Sequence, residues 1–240
     1  MQPKSRTIPV GRAVLILLLA LVAWGSSLSP ASAGQAESAQ ALVDRSRITL
    51  EEFVADQEMG PALTALLQRA QAVLIYPQVL RGAFVVGGSG GSGTLVARDA
   101  KNQTWAGPAF YSFGQASFGL QIGADAAQVV LVALTERGMT ALLTTRVTLG
   151  GNVSVALGPV GAGAAAATAG LSADIVSYSR NRGLYAGISV EGAVVSTRRS
   201  LNRAYFGKAV TPTDILVRRS VKNKNAADLL NAVKKAAAGG

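Results

Sequence analysis

The stretch Gly88-Ser89-Gly90-Gly91-Ser92-Gly93, with Thr94-Leu95-Val96-Ala97-Arg98 after it, decides which kind of fold this chain can have. Its first six residues satisfy G-x-G-x-x-G, the spacing with which a tight turn delivers a pyrophosphate to a helix N-terminus. That chemistry requires a helix to start at the last glycine. Thr94 to Ala97 is instead a β-type run that ends in a turn over 99–102. The stretch reads as a hairpin loop between strands, and a dinucleotide-binding α/β fold is set aside. The same loop holds Gly87-Gly88-Ser89-Gly90-Gly91, formally a G-x-S-x-G elbow. The chain has no histidine, so Ser89 has no conventional base.

The β texture extends on both sides. Val73 to Tyr76 precedes Pro77, and Ala83 to Val86 runs into the glycines. Downstream, strands are expected at 104–106, from Phe110 to Gly123, at Val129 to Leu134, and at 151–157, 172–178 and 184–196. Glycines at 114, 119 and 123 suggest bulges or bends. A short helix is expected from Thr135 to Leu143, and Asn225 is a candidate cap for a last helix through Val233. Leu216, Val217 and Val221 are candidates to close the core. A second dinucleotide-like match, Gly161 to Ala166, is broken up by Pro159, Thr168 and Gly170.

Ahead of the strands lies a helical pair. Ala39, Leu42, Val43, Ser46, Leu50, Phe53 and Val54 recur at spacings of three and four, which places them on one stripe. Arg47 and Glu51 are four apart on the wet side. Gly60 stops this helix and Pro61 starts a second, in which Leu63, Leu66, Leu67 and Ala70 repeat the spacing. Further upstream, Lys4, Arg6 and Arg12 precede an apolar run from Ala13 to Trp24, and Ala31-Ser32-Ala33 gives a small-x-small exit. This is the order of a secretory signal peptide. The run is shorter than the roughly 20 residues of a bilayer-spanning helix. We expect cleavage after Ala33, with a retained anchor as the alternative, and an exported product that is periplasmic, envelope-associated or secreted.

Composition narrows the chemistry. The 240 residues include no cysteine and no histidine, which removes disulfides, the usual zinc ligands, and the Ser-His-Asp and Cys-His nucleophile systems. Asp125, Glu136, Asp174 and Glu191 show no pairing suited to acid–base work. Charge is unevenly placed: from Arg198 onward ten basic side chains face only Asp214 and Asp228. Such a pole suits a polyanionic partner. Only Tyr205 and Phe206 supply aromatic residues there, so nucleic acid is not expected.

Longer strings then identify the chain as similar to a known family. Ser112 to Ala124 (SFGQASFGLQIGA), Ala156 to Ala164 (ALGPVGAGA), Ala173 to Ser179, and Gly183 to Val194 (GLYAGISVEGAV) resemble the SYLF domain, in order along the chain. Pro77 to Gly88, and Ala204 to Gly207 ahead of Asp214-Ile215-Leu216, resemble it too. The resemblance implies a lipid-binding domain that associates with membranes through acidic lipids, phosphoinositides in the eukaryotic members, where it is coupled to actin assembly. It implies no catalytic residues. In eukaryotic members lipid contact is associated with an N-terminal amphipathic helix and nearby basic residues; Arg45 and Arg47 occupy that region here.

The combined expectation is an α+β, mainly β domain. A helical hairpin over 36–72 precedes a β-rich body over 73–207, a curved antiparallel sandwich or partial barrel. A basic segment with a short helix follows over 208–240, and all of 34–240 is one domain. Its expected role is non-catalytic binding of anionic phospholipid at the cell envelope. The expected headgroup contacts are Arg198, Arg199, Arg203, Lys208, Arg218, Arg219, Lys222 and Lys224, with Arg45 and Arg47 secondary. No cofactor or metal is expected, and no actin for an exported protein; homo-oligomers stay open. An envelope scaffold that binds an acidic protein or polysaccharide is the alternative.

Overall fold

The computed structural model describes residues 30–83, 86–99, 101–118, 123–161, 163–168, 171–181 and 189–239. Residues 1–29 of the expected leader, and 184–188 of the last expected strand, lie outside these. Helix α1 (Pro30–Val54) and α2 (Gly60–Arg69) form the expected hairpin. Ala39, Leu42, Val43, Ser46, Leu50 and Phe53 are all buried, as the stripe requires. Gly60 belongs to α2, not to the end of α1; a Cβ on it would lie 2.2 Å from the Val54 carbonyl oxygen. A side chain there would force the hairpin open.

Four long strands follow: β1 (Ala72–Ala83), β2 (Val86–Arg98), β3 (Trp105–Phe118) and β4 (Gly123–Ala133). Next come α3 (Glu136–Leu143), β5 (Arg146–Thr148), β6 (Val155–Leu157), the one-turn α4 (Ala164–Ala167), β7 (Ile175–Asn181) and β8 (Val194–Thr197). The C-terminal part holds α5 (Arg199–Phe206), α6 (Pro212–Leu216), a 3-10 turn (Lys224–Ala226) and α7 (Ala227–Ala237). The strands form one sheet in the order β5-β8-β3-β2-β1-β4-β7-β6. It curls as a half-barrel, so of the two expected forms the partial barrel is adopted. All neighbours are antiparallel except β6 and β7, which run parallel.

The glycine stretch corrects the hairpin-loop expectation. Residues 86–98 pair with β3 with one register shift between Leu95 and Ala97, Gly88 opposite Ala116 and Gly90 opposite Gly114. The cause lies in the neighbouring strand. Pro77 cannot donate to a ladder, and the β1–β2 register shifts between Ile75 and Gln78. The bulge pushes β1 backbone against β2. A Cβ on Gly91 would meet the Gln78 carbonyl at 2.5 Å, and one on Gly93 would meet both the Ile75 carbonyl and the Tyr76 ring at 2.5 Å. Here glycine answers to packing within a strand.

Alternation along the strands makes two apolar layers. Val73, Ile75, Val96, Phe110, Val130, Val132 and Val176 face the helices, where α1 and α2 are joined by Leu229 and Val233 of α7. Leu74, Tyr76, Leu95, Tyr111, Val129, Leu131 and Ile175 fill the other side with Leu142 of α3 and Ile215 and Leu216 of α6. Val217 does not join them: it is 54% exposed, because the helix of 212–216 ends before it. The last helix is likewise entered differently from expectation. Asn223, not Asn225, supplies the cap, its side chain accepting from the Asn225 amide at 3.0 Å to open the 3-10 turn.

Candidate functional site: an arginine groove beside the fifth helix

The site is built on α5. Leu201, Asn202 and Tyr205 of this helix are buried. The Asn202 side-chain oxygen accepts from the Phe110 amide at 2.9 Å, and the Tyr205 ring meets Phe110 edge-on at 5.1 Å. With that face fixed to β3, Arg199 and Arg203 stand on the opposite, exposed face. They are one turn apart, and like charges at this spacing are mildly unfavourable in a free helix. Neither makes an ion pair among the described residues. Gly207, in the left-handed region at φ 71°, ends the helix and turns the chain back toward α6.

A groove of about 720 Å³ lies between α5, the end of α3 and α6. Arg199, Arg203 and Arg218 reach it together. Thr144, Thr145, Thr197, Thr211 and Thr213 line it too, over an apolar floor that includes Leu143, Val210 and Pro212. The guanidinium forks suit an oxyanion such as phosphate, while the hydroxyls of Thr144 and Thr211 are donated to the Ala141 carbonyl and the Asp214 carboxylate.

The C-terminal side of the groove is tightly wired. The Thr211 side chain accepts from the Asp214 amide, while the Asp214 carboxylate accepts from the Thr211 amide at 3.0 Å and its hydroxyl at 2.6 Å. This is a capping box. The other carboxylate oxygen of Asp214 accepts from Arg218 at 2.9 Å. The Thr211 bonds first, then Arg218, hold the Asp214 carboxyl below its usual range.

The eight expected headgroup residues thus separate into groups. Arg199, Arg203 and Arg218 share the groove. Arg198 is half-buried and donates inward to the Ser92 hydroxyl. Arg219 is drawn off to Asp99 at 2.6 Å and to the Thr104 hydroxyl at 3.2 Å. Lys208, Lys222 and Lys224 are exposed. Asn223, between the last two, donates to the Tyr205 carbonyl at 2.8 Å, so that pair sits by the C-terminal end of α5, where a helix favours cations. Of the secondary pair on α1, Arg47 is bound to Glu51 at 2.7 Å and Arg45 donates to the Ala41 carbonyl of its own helix. The threonines of the lining and the Asp214 post were not among the sequence candidates. Thr211-x-x-Asp214 is a legible capping motif, whereas the threonines come from segments far apart in the chain.

Of the scattered carboxylates, Asp174 is the most engaged. It accepts from the Thr135 hydroxyl at 2.6 Å, the Ser154 hydroxyl at 2.8 Å and the Ser154 amide at 3.0 Å, with Arg137 at 3.8 Å. Thr135 meanwhile caps α3. These bonds, that of Thr135 first, lower the Asp174 pKa from 3.8 to about 2. Asp125 is bound to Asn181 at 3.2 Å and Arg81 at 3.7 Å.

Residues 114–236 match the family described as Ysc84, a Las17-binding protein actin regulator. Protein YSC84 of Saccharomyces cerevisiae is 39% identical over 183 residues, which is 74% of this chain and 38% of that protein. LAS seventeen-binding protein 3 from the same species is 37% identical over 168 residues, 68% of this chain and 36% of that protein. The human SH3 domain-containing YSC84-like protein 1 is 33% identical over 168 residues, covering 68% and 48%. The matched part is thus less than half the length of each of these relatives. The family match spans half of the chain and falls on the helices and strands that frame the groove, and this chain belongs to the Ysc84/SYLF domain family, a binding-domain family of the actin-regulator type.

Proposed function

We propose that this domain binds anionic phospholipid at a membrane surface, without catalysis, through the groove formed by Arg199, Arg203 and Arg218. The observation that carries the reading is that Arg199, Arg203 and Arg218 line one exposed hollow together. Lys208, Lys222 and Lys224 add diffuse positive charge nearby. Each basic residue at an anionic leaflet contributes about 1 kcal/mol. Three therefore give about 3 kcal/mol, or roughly a hundredfold in affinity.

The leader-like sequence ahead of α1 favours a membrane over other polyanions. Gln35, near its start, shares a shallow cleft with Arg199, Ser200, Arg203 and Ala204. The sequence ahead of this helix carries the apolar run at 13–24, the core of the expected leader. Such a leader would bring the groove into a compartment bounded by bilayer. Export to the envelope belongs to this same proposal.

Sedimentation with phosphatidylcholine vesicles, with and without phosphatidylglycerol, tests the reading. We expect binding that requires phosphatidylglycerol and weakens as salt is raised. Equal, salt-insensitive binding to both vesicles overturns it. The name LAS seventeen-binding protein 3 favours a second reading, in which the same face takes a protein, and the arginines suit an acidic segment of it. In that case an acidic peptide displaces the protein from vesicles, and the vesicles alone bind it poorly.

A further inference from the structure

Among the described residues, Asp214 is the carboxylate attached to a groove arginine, and simple electrostatics makes it an opponent of any anionic ligand. Its geometry argues the reverse. One of its oxygens is fixed by the Thr211 amide and hydroxyl, and the main chain beyond folds back on it, with the Ser220 amide donating to the Asp214 carbonyl at 3.0 Å. The other oxygen holds a single nitrogen of Arg218 at 2.9 Å. The Asp214 side chain is 24% exposed, that of Arg218 70%. A fixed post therefore grips a side chain that would otherwise swing freely. An arginine has five N–H donors, so the grip leaves most of its fork for a ligand.

We infer that Asp214 is a positioning residue of the groove: it aims Arg218 at the bound anion, and its removal weakens anion binding although it removes a negative charge. Two effects compete when Asp214 becomes neutral. Loss of an exposed carboxylate lowers repulsion, but that charge is already matched by Arg218 and screened by solvent. Freeing a long arginine side chain restores rotamer entropy that the ligand must then remove, and this second effect is the larger.

The inference rests on the lipid reading above, and one experiment separates them. Binding of the purified chain to phosphatidylcholine vesicles containing phosphatidylglycerol is measured for the wild type, Asp214→Asn, Arg218→Ala and the double variant. We expect Arg218→Ala to lose about fivefold, Asp214→Asn about twofold, and the double variant no more than Arg218→Ala. A wild type with no preference for phosphatidylglycerol sinks both readings. A wild type with that preference, alongside an Asp214→Asn variant that binds as well or better, overturns the positioning role and leaves the lipid reading standing. Losses that multiply in the double variant mean that Asp214 acts on the fold alone, and also overturn it. Arg218→Lys guards against a misfolded Asp214→Asn: it keeps the charge at an exposed site but not the fork. It should lose about threefold by the same leaflet arithmetic, and undiminished binding counts against the inference.

Discussion

Two polar clusters in this molecule use the same chemistry to opposite ends. At one corner, Asp174 draws Thr135, Ser154 and Arg137 together and so ties the start of β7, the cap of α3 and the approach to β6. Its carboxylate is 9% exposed and turned inward on its donors. At the groove, Asp214 draws in Thr211 and Arg218 in much the same way, but its side chain is 24% exposed, and Arg218, as exposed as Arg137, lines an open hollow. The first arrangement uses its hydrogen bonds to hold three segments in register. The second uses a minority of its donors for architecture and leaves the remainder open. Burial separates a structural charge from an available one, because hydrogen bonds to charge hold a fold strongly only where water cannot replace them.

The contrast predicts a double dissociation. Arg199→Ala, Arg203→Ala and Arg218→Ala combined should lower affinity for phosphatidylglycerol vesicles by roughly a hundredfold, with little change in thermal stability. A large drop in Tm would place these arginines with Asp174 instead. Asp174→Ala should do the opposite. Leaving the Thr135 and Ser154 donors without an acceptor costs about 3 kcal/mol, and Tm falls by roughly 6–12 °C. Vesicle binding below the new Tm should be retained.

Acid sharpens the comparison further. The Asp174 pKa is lowered from 3.8 to about 2, so its contribution is complete above about pH 4 and is lost as pH falls toward 2. Tm curves of wild type and Asp174→Asn should therefore converge over that interval. A constant gap would mean that the charge is irrelevant to the corner. The smallest effect is expected at Arg219, whose charge is occupied by Asp99. Arg219→Ala should change vesicle affinity less than about twofold, near the floor for a surface charge, and titration against vesicles would show it.

Much of the helical part was legible because its period left a record in the side chains. The stripe from Ala39 to Phe53 is buried residue by residue, and Thr135 opens the short helix where its spacing suggests. The glycine-rich strand was not legible. Gly88 to Gly93 carries almost no alternation, and its strand identity comes from partners on β1 and β3 that no local signal reveals. The site divides similarly. A concentration of positive charge is visible as composition from Arg198 onward, whereas which charges are available depends on remote contacts. Arg198 meets a serine 106 residues away, and Arg219 is captured across the sheet end by Asp99. Arg199 and Arg203 could be paired from their spacing on a helix; Arg218 joins them only through the fold.

The outermost strands of the sheet, β5 and β6, are each three residues long. They are also neighbours in sequence, linked through a bridge between Leu149 and Val153. A sheet of eight strands would ordinarily offer two long unpaired rims to any passing chain. Here both outermost strands are brief, and one short connection joins the two of them. Strands this short give another copy little backbone to add to, which at the two ends of the sheet discourages the self-templating that ends in fibrils.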